Sequence, residues 1–307
     1  MSNHSHDHDE LEDHDLGLSH DLPQIVARER RPLGRRGLLG LFGGVGAVAL
    51  VGCGDDDQAT LTDSASDAAS QSATGQGGPG QPPSGAGGMG GDSGVEVAEG
   101  EIPEETAGPY PGDGSNGVNV LSESGIVRSD LTSSFGSASG VAEGVPVTVK
   151  LKVYDLNGTE VTPLAGAALY LWHCDREGRY SMYSEGVTDE NYLRGVQETA
   201  ADGTVQFTTI FPACYSGRWP HMHFEVYQSL DSATTYSNKL RTSQLAIPED
   251  TCREVYGVVD GYDASVGNLD GVSLDSDGIF GDGYSLQLAT VTGSVDEGYT
   301  LSLNVPV

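Results

Sequence analysis

An all-β fold, an antiparallel β-sandwich of about seven or more strands with few short helices, is what this sequence predicts. Three observations carry the prediction. From residue 145 onward, short runs of β-branched and aromatic residues alternate with polar ones and are separated by turn signals. No long stretch carries the 3.6-residue apolar period of an amphipathic helix. The part of the chain with core-forming composition, Glu101 to Val307, shows no second break, and about 200 residues suffice for one substantial core.

The elements follow in order. "VPVTVKLKVYDLNG" alternates and ends on an Asn-Gly turn, and "AALYLWHC" is a second run, closed by "DREG". "GTVQFTTIFP" starts after the "ADG" turn, followed by "HMHFEVYQ" and "NKLRTSQLAIP". "YSLQLATVTGSV" and "YTLSLNVPV" supply the last strands, and "PEDTCREVYGVV" reads as one short helix. The acidic stretch "SLDSDGIFGDG" has neither the D-x-D-x-D-G spacing nor the twelfth-position glutamate of a calcium loop, so it reads as an Asp/Gly turn.

Ahead of this domain lie two segments of different character. Residues 1–52 hold a polar tract rich in histidine (His4, His6, His8, His14, His20), then "RRGLLGLFGGVGAVALVGC". A twin arginine, a short glycine-diluted apolar run and a closing cysteine, in that order, resemble an export signal that ends in lipidation of Cys53. The expectation is therefore an exported, lipid-anchored protein of the cell envelope or exterior, carried by the twin-arginine route. Residues 53–100, with "GQGGPGQPPSGAGGMGGDSG", form a tether with too little apolar surface to pack. The formal charge is −30, and −27 remains after removing the five arginines and eight acids of residues 1–52. Such a surface repels nucleic acid and anionic headgroups. Of the cysteines beyond Cys53, namely Cys174, Cys214 and Cys252, the favoured disulfide pair is Cys214 with Cys252. No oligomeric state is assigned.

The chemistry concentrates in "ACYSGRWPHMHFEV", residues 213–226. Side chains alternate faces along a strand, so His221 and His223 share one face, about 7 Å apart along the backbone, and can share an ion. Several donor sets compete. A third imidazole could come from His173 only, a carboxylate from Glu225, and a thiolate for copper from Cys214. Tyr180 and Tyr215 offer phenols instead, with an ordinary pKa near 10, which only a strongly Lewis-acidic ion such as iron(III) readily deprotonates at neutral pH. Arg218 stands three residues before His221, either as a pocket cation or as a surface ion pair.

At these residues the chain resembles a family. "LYLWHCDREGRYSMY", "NYLRGVQETAADGTVQFTTIFPACYSGRWPHMHFEVY" and "TSQL" are similar to the intradiol ring-cleavage dioxygenases, the group of catechol 1,2- and protocatechuate 3,4-dioxygenases. The resemblance implies a sandwich of transthyretin-like shape and a non-haem Fe(III) held by Tyr180, Tyr215, His221 and His223. It implies a catechol-type diol and O2 as substrates, giving a cis,cis-muconate-type diacid. By the same analogy Tyr215 is the ligand that departs and takes a substrate proton, Arg218 stabilises negative charge on the ring, and Gln244 lies near it. "ETAGPYPGDG" resembles a loop near the family's active site, which makes Tyr110 a pocket residue, with Pro111 where a second tyrosine is usual. His173, Trp172 and Arg194 read as a hydrogen-bonded strand histidine, a core residue and a loop anchor. The short Ser216–Pro220 loop, and a tether in place of a helical dimerisation region, lead to the expectation of an open pocket. Two other functions remain open: a non-catalytic binding domain of the same shape, and a zinc or copper enzyme built on the His-x-His pair.

Overall fold

Nine strands and two short helices are seen in the computed structural model, which describes residues 99–156 and 160–307. The twin arginine, Cys53, the tether up to residue 98 and the Asn157-Gly158 turn lie outside the described residues. Strands β1 (Pro146–Asp155), β2 (Thr162–Pro163), β5 (Thr204–Ile210), β8 (Thr290–Ser294) and β9 (Gly298–Pro306) form one sheet. One edge of β1 pairs first with β5 and then with β2; its other edge pairs with β9, which continues to β8. The second sheet has the order β4-β3-β6-β7, from β3 (Ala168–Trp172), β4 (Arg194–Glu198), β6 (His221–Tyr227) and β7 (Lys239–Ala246).

All pairings but one are antiparallel; β1 and β9 run parallel, from Val147 beside Tyr299 to Tyr154 beside Pro306. This departs from the antiparallel expectation, because period-two patterning fixes which face a residue takes but not which distant strand is its neighbour. "YSLQL" is a turn, so its strand starts only at Thr290. Two helices, α1 (Glu249–Val258) and α2 (Asp263–Asp270), stand where one was expected. Among the described residues no helix is long and apolar enough to cross a membrane. The Cys214–Cys252 disulfide is not formed: Cys174, Cys214 and Cys252 are all buried free thiols. Cys214 Sγ instead faces the Arg218 carbonyl at 3.5 Å, and Cys252 Sγ faces the Ile247 carbonyl.

Between the sheets, Val147, Val149, Leu151 and Val153 of β1 meet Leu169 and Leu171 of β3 and Met222, Phe224 and Val226 of β6 in one apolar core. Strand β6 is buried along its whole length, on both faces. Its second face, with His221, His223, Glu225 and Tyr227, belongs to a separate aromatic cluster that includes Tyr170, Trp172 and Tyr180. That outer face is roofed by chain from before β1 and by the loop between β3 and β4. Most polar groups on a strand face withheld from water in this way find partners, although His223 Nδ1 has none among the described residues.

His173, just after β3, shows the rule. Its Nδ1–H donates to the Cys174 carbonyl (2.8 Å) and its Nε2 meets Thr209 Oγ1 of β5 (2.7 Å). Burial lowers its pKa from 6.5 to about 4. The unfolded chain therefore binds a proton between those values that the folded protein refuses, so stability is complete above pH 6.5 and is lost as pH falls towards 4. The loss from this imidazole is about 3 kcal/mol, and His221 and His223 add to it with the same sign. Urea unfolding across pH 4 to 7 should show this slope, and His173→Gln should flatten it; an unchanged slope in the variant would contradict the assignment.

Candidate metal centre

Two phenol oxygens and two imidazole nitrogens converge on the outer face of β6. Tyr180 Oη lies 3.5 Å from Tyr215 Oη, Tyr215 Oη lies 3.2 Å from His221 Nε2, and His221 Nε2 lies 3.1 Å from His223 Nε2. Each atom is delivered by a different local device. The histidines share a face because β6 is a regular strand, paired with β3 at Trp172–His223 and with β7 at His223–Gln244. Trp172 stacks on the His223 ring at 5.0 Å and 7°. His221 Nδ1–H donates to the Trp219 carbonyl, so Nε2 turns its lone pair towards the centre. Tyr180 sits in the β3–β4 loop, where its backbone N–H donates to Ser184 Oγ. Tyr215 sits on the loop entering β6, whose Cys214 N–H is held by Ser265 Oγ of α2.

The electrostatics suit a cation. Burial, then the Arg218 charge, push His221 well below 6.5, and burial with the neighbouring His221 does the same to His223, so both rings are neutral ligands at pH 7. Burial raises Tyr215 to about 12 against the pull of Arg218, and raises Tyr180 well above 10 with help from Tyr215. Among the described residues nothing brings these phenols down into the neutral range. Donors bound to one ion at about 2 Å lie roughly 3 to 3.5 Å apart, which is the spacing found here. Two neutral imidazoles and two phenols that need a strong Lewis acid fit a trivalent ion such as Fe(III).

The competing donors are engaged elsewhere. Glu225 Oε2 accepts the Tyr227 hydroxyl (2.6 Å) and Oε1 the Thr242 hydroxyl (3.2 Å), and its carboxyl is raised to about 8 by burial. Both His173 nitrogens are bonded. The Cys214 thiol is pushed up to about 12 by burial and then by Asp277, far from thiolate. Among the described residues no group of three or more His, Cys, Asp or Glu is placed to hold a metal, so the phenols are needed to complete a four-donor set.

A cavity of about 20 Å³ opens beside the four atoms, lined by Gly108, Pro109, Tyr110, Trp172 and Arg218 together with Tyr180, Tyr215 and His223. It is narrow, against the expectation of an open pocket; a cavity that takes benzene is about 150 Å³. The reason is a strap, residues 106–111, laid across β6. Gly108 takes a left-handed φ of +71°, which brings the strap within van der Waals reach of the His223 ring. Tyr110 packs between Tyr180 (5.1 Å) and Tyr183 (5.2 Å). Arg194 anchors the strap, donating to the carbonyls of Tyr110 (2.9 Å) and Pro111 (2.8 Å).

Arg218 is both cavity residue and ion pair. Its Nε donates to Asp277 Oδ2 (2.9 Å), a fully buried carboxylate, and its Nη2 donates to Gln244 Oε1 (2.6 Å). Gln244 thus stands behind Arg218 and does not line the cavity. Asp277 was missed: it lies within the predicted Asp/Gly turn, and only the local D-x-I-F spacing, which lets one carboxylate cap the N–H groups of Ile279 and Phe280, hinted at an anchored side chain.

A family model described as Dioxygenase matches residues 124–239, a span that includes all four ring donors and Arg218. The chain is 39% identical over 57 residues to a chlorocatechol 1,2-dioxygenase of Rhodococcus opacus, covering 19% of this chain and 22% of that relative. It is 36% identical over 61 residues to catechol 1,2-dioxygenase 1 of Acinetobacter lwoffii, covering 20% of each. These alignments span about a fifth of the length of the curated relatives. Among solved structures, the intradiol ring-cleavage dioxygenase from Tetranychus urticae is similar at 24% identity and a TM-score of 0.49, over 60% of this chain and 87% of that one. The chain is thus similar to the dioxygenase family model over the stretch that holds every donor of the centre, and to catechol and chlorocatechol 1,2-dioxygenases over about a fifth of its length.

Proposed function

We infer that the protein is a non-haem Fe(III) intradiol dioxygenase that cleaves a catechol-type diol with O2 to a cis,cis-muconate-type diacid. The observation that carries this reading is the convergence of Tyr180, Tyr215, His221 and His223 beside a cavity with Arg218 on its wall. When bound, ferric iron would supply the Lewis acidity that ionises the phenols and the diol, and would draw electron density from the ring so that dioxygen can attack it.

The residues divide the remaining work. Tyr180 is buried, and its loop is locked at Ser181, whose carbonyl accepts from Arg194 (3.0 Å) and whose hydroxyl accepts from Arg194 Nε (3.1 Å). It is suited to stay. Tyr215 is half-buried beside exposed Ser216 and Gly217, and it is suited to swing out. Its departure would enlarge the cavity towards the size of a ring and carry a basic oxygen to one diol hydroxyl. Arg218 would stabilise the negative charge that the ring develops. The cavity wall is otherwise aromatic or small, and its one cation is already paired with Asp277, which favours rings with uncharged substituents over carboxylated ones. Export and lipidation at Cys53 belong to the same proposal, supported by the order of twin arginine, apolar run and cysteine.

The test is colour followed by turnover. Protein loaded with iron should be burgundy from tyrosinate-to-iron charge transfer, and should take up one O2 per catechol with the ultraviolet spectrum of a muconate. A colourless protein with stoichiometric zinc, or a coloured one that consumes no oxygen with any of a panel of catechols, would overturn the reading.

A further inference from the structure

The turn from Ser273 to Gly283 reaches into the site through one side chain. Asp277 is buried, and its Oδ1 accepts the backbone N–H groups of Ile279 (2.8 Å) and Phe280 (3.2 Å), which fasten the carboxylate to its own loop. Its Oδ2 accepts Trp219 N–H (2.7 Å) and Arg218 Nε–H (2.9 Å). From the opposite side Gln244 Oε1 accepts Arg218 Nη2 (2.6 Å), while Gln244 Nε2 donates to the Thr106 carbonyl of the strap (3.0 Å). The Phe280 ring lies 6.0 Å from the guanidinium carbon. Among the described residues Arg218 Nη1 has no hydrogen-bond partner, and Arg218 lines the cavity. The guanidinium is therefore held on two of its three nitrogens.

An arginine free to move loses rotamer entropy when it is fixed, and in a chain of net charge −30 other carboxylates compete for it. We propose that Asp277 is a positioning residue: it locks Arg218 so that the guanidinium meets the bound diol in one orientation. The proposal rests on the dioxygenase reading. It assigns the fixed turn a role in catalysis without contact with substrate.

Asp277→Asn keeps the shape and the caps on Ile279 and Phe280 but turns an amide N–H towards Arg218 and Trp219, which weakens the grip on Arg218. Iron content and colour should be unchanged, while kcat falls about 10- to 100-fold with little change in KM, as expected when a transition-state contact is misplaced. Asp277→Glu, which keeps the charge but shifts it by one methylene, should recover only part of the rate. In an Arg218→Met background the same Asn substitution should change kcat less than about twofold, because Asp277 acts through Arg218. Independently of turnover, the Arg218 Nε–H resonance of arginine-labelled protein should be protected from exchange in the wild type and lose that protection in both single variants. Unchanged protection and rate in Asp277→Asn and Asp277→Glu would overturn the proposal, as would losses that multiply in the Arg218→Met background. A wild type with the protected resonance but no oxygen uptake would instead overturn the dioxygenase reading alone, since the lock on Arg218 would stand.

Discussion

His223→Ala is expected to yield a folded protein that no longer retains a stoichiometric metal ion and whose oxygen uptake with catechol falls by more than about 100-fold. The size follows from where the ring sits. His223 is central in its sheet, paired with Trp172 on one side and Gln244 on the other, and its Nε2 lies 3.1 Å from His221 Nε2. Losing a direct donor should exceed the 10- to 100-fold cost typical of losing a partner behind one. The three remaining donors include two phenols that burial keeps protonated, so His221 is the one donor left that can bind an ion without first losing a proton. Elemental analysis with a visible spectrum, checked by circular dichroism for folding, measures this directly. Equimolar iron and full colour in the variant would mean that His223 is not a ligand.

The second large effect is on stability. Arg194→Met is expected to cost about 3–5 kcal/mol in urea unfolding, the range for removing one partner from a buried, charge-bearing network. Arg194 is 1% exposed. Its guanidinium donates to the Pro111, Tyr110 and Ser181 carbonyls and to the Tyr170 and Ser181 hydroxyls. Removing it strands several acceptors in a dry interior at once. It also unfastens the strap over the cavity from the loop that carries Tyr180, so metal retention should weaken in parallel. Arg194→Lys keeps the charge but not the planar fork and should fall between the two. A loss below about 1 kcal/mol for the methionine variant would show that the strap is held by other means.

The features legible in the sequence were those written in short-range periodicity. Alternation along "HMHFEVY" placed His221 and His223 on one face, and the spacing of Tyr180, Tyr215 and Arg218 around them supplied the rest of the family pattern. What escaped depends on long-range geometry. Asp277 meets Arg218 across 59 positions of chain, and an Asp in a glycine-rich turn looks the same whether it caps its own loop or grips a distant cation. The parallel pairing of β1 with β9 leaves no local trace. The disulfide expectation failed because three cysteines buried in apolar surroundings are as well explained by packing as by bonding. The narrowness of the cavity is set by the strap and not by loop length, and the path of the strap over His223 turns on the backbone freedom of Gly108.

Because β9 lies between β1 and β8, the larger sheet is completed by the stretch that a ribosome makes last of all those described. Until Gly298–Pro306 has emerged, β1 presents one whole edge unpaired, and the apolar side chains of Val149, Leu151 and Val153 lack their neighbours Leu301, Leu303 and Val305. A nascent chain in that condition is a template for strand addition by any other copy. Joining ends so far apart also makes for slow, concerted folding. Shortening the chain before Gly298 would leave that edge of β1 unpaired.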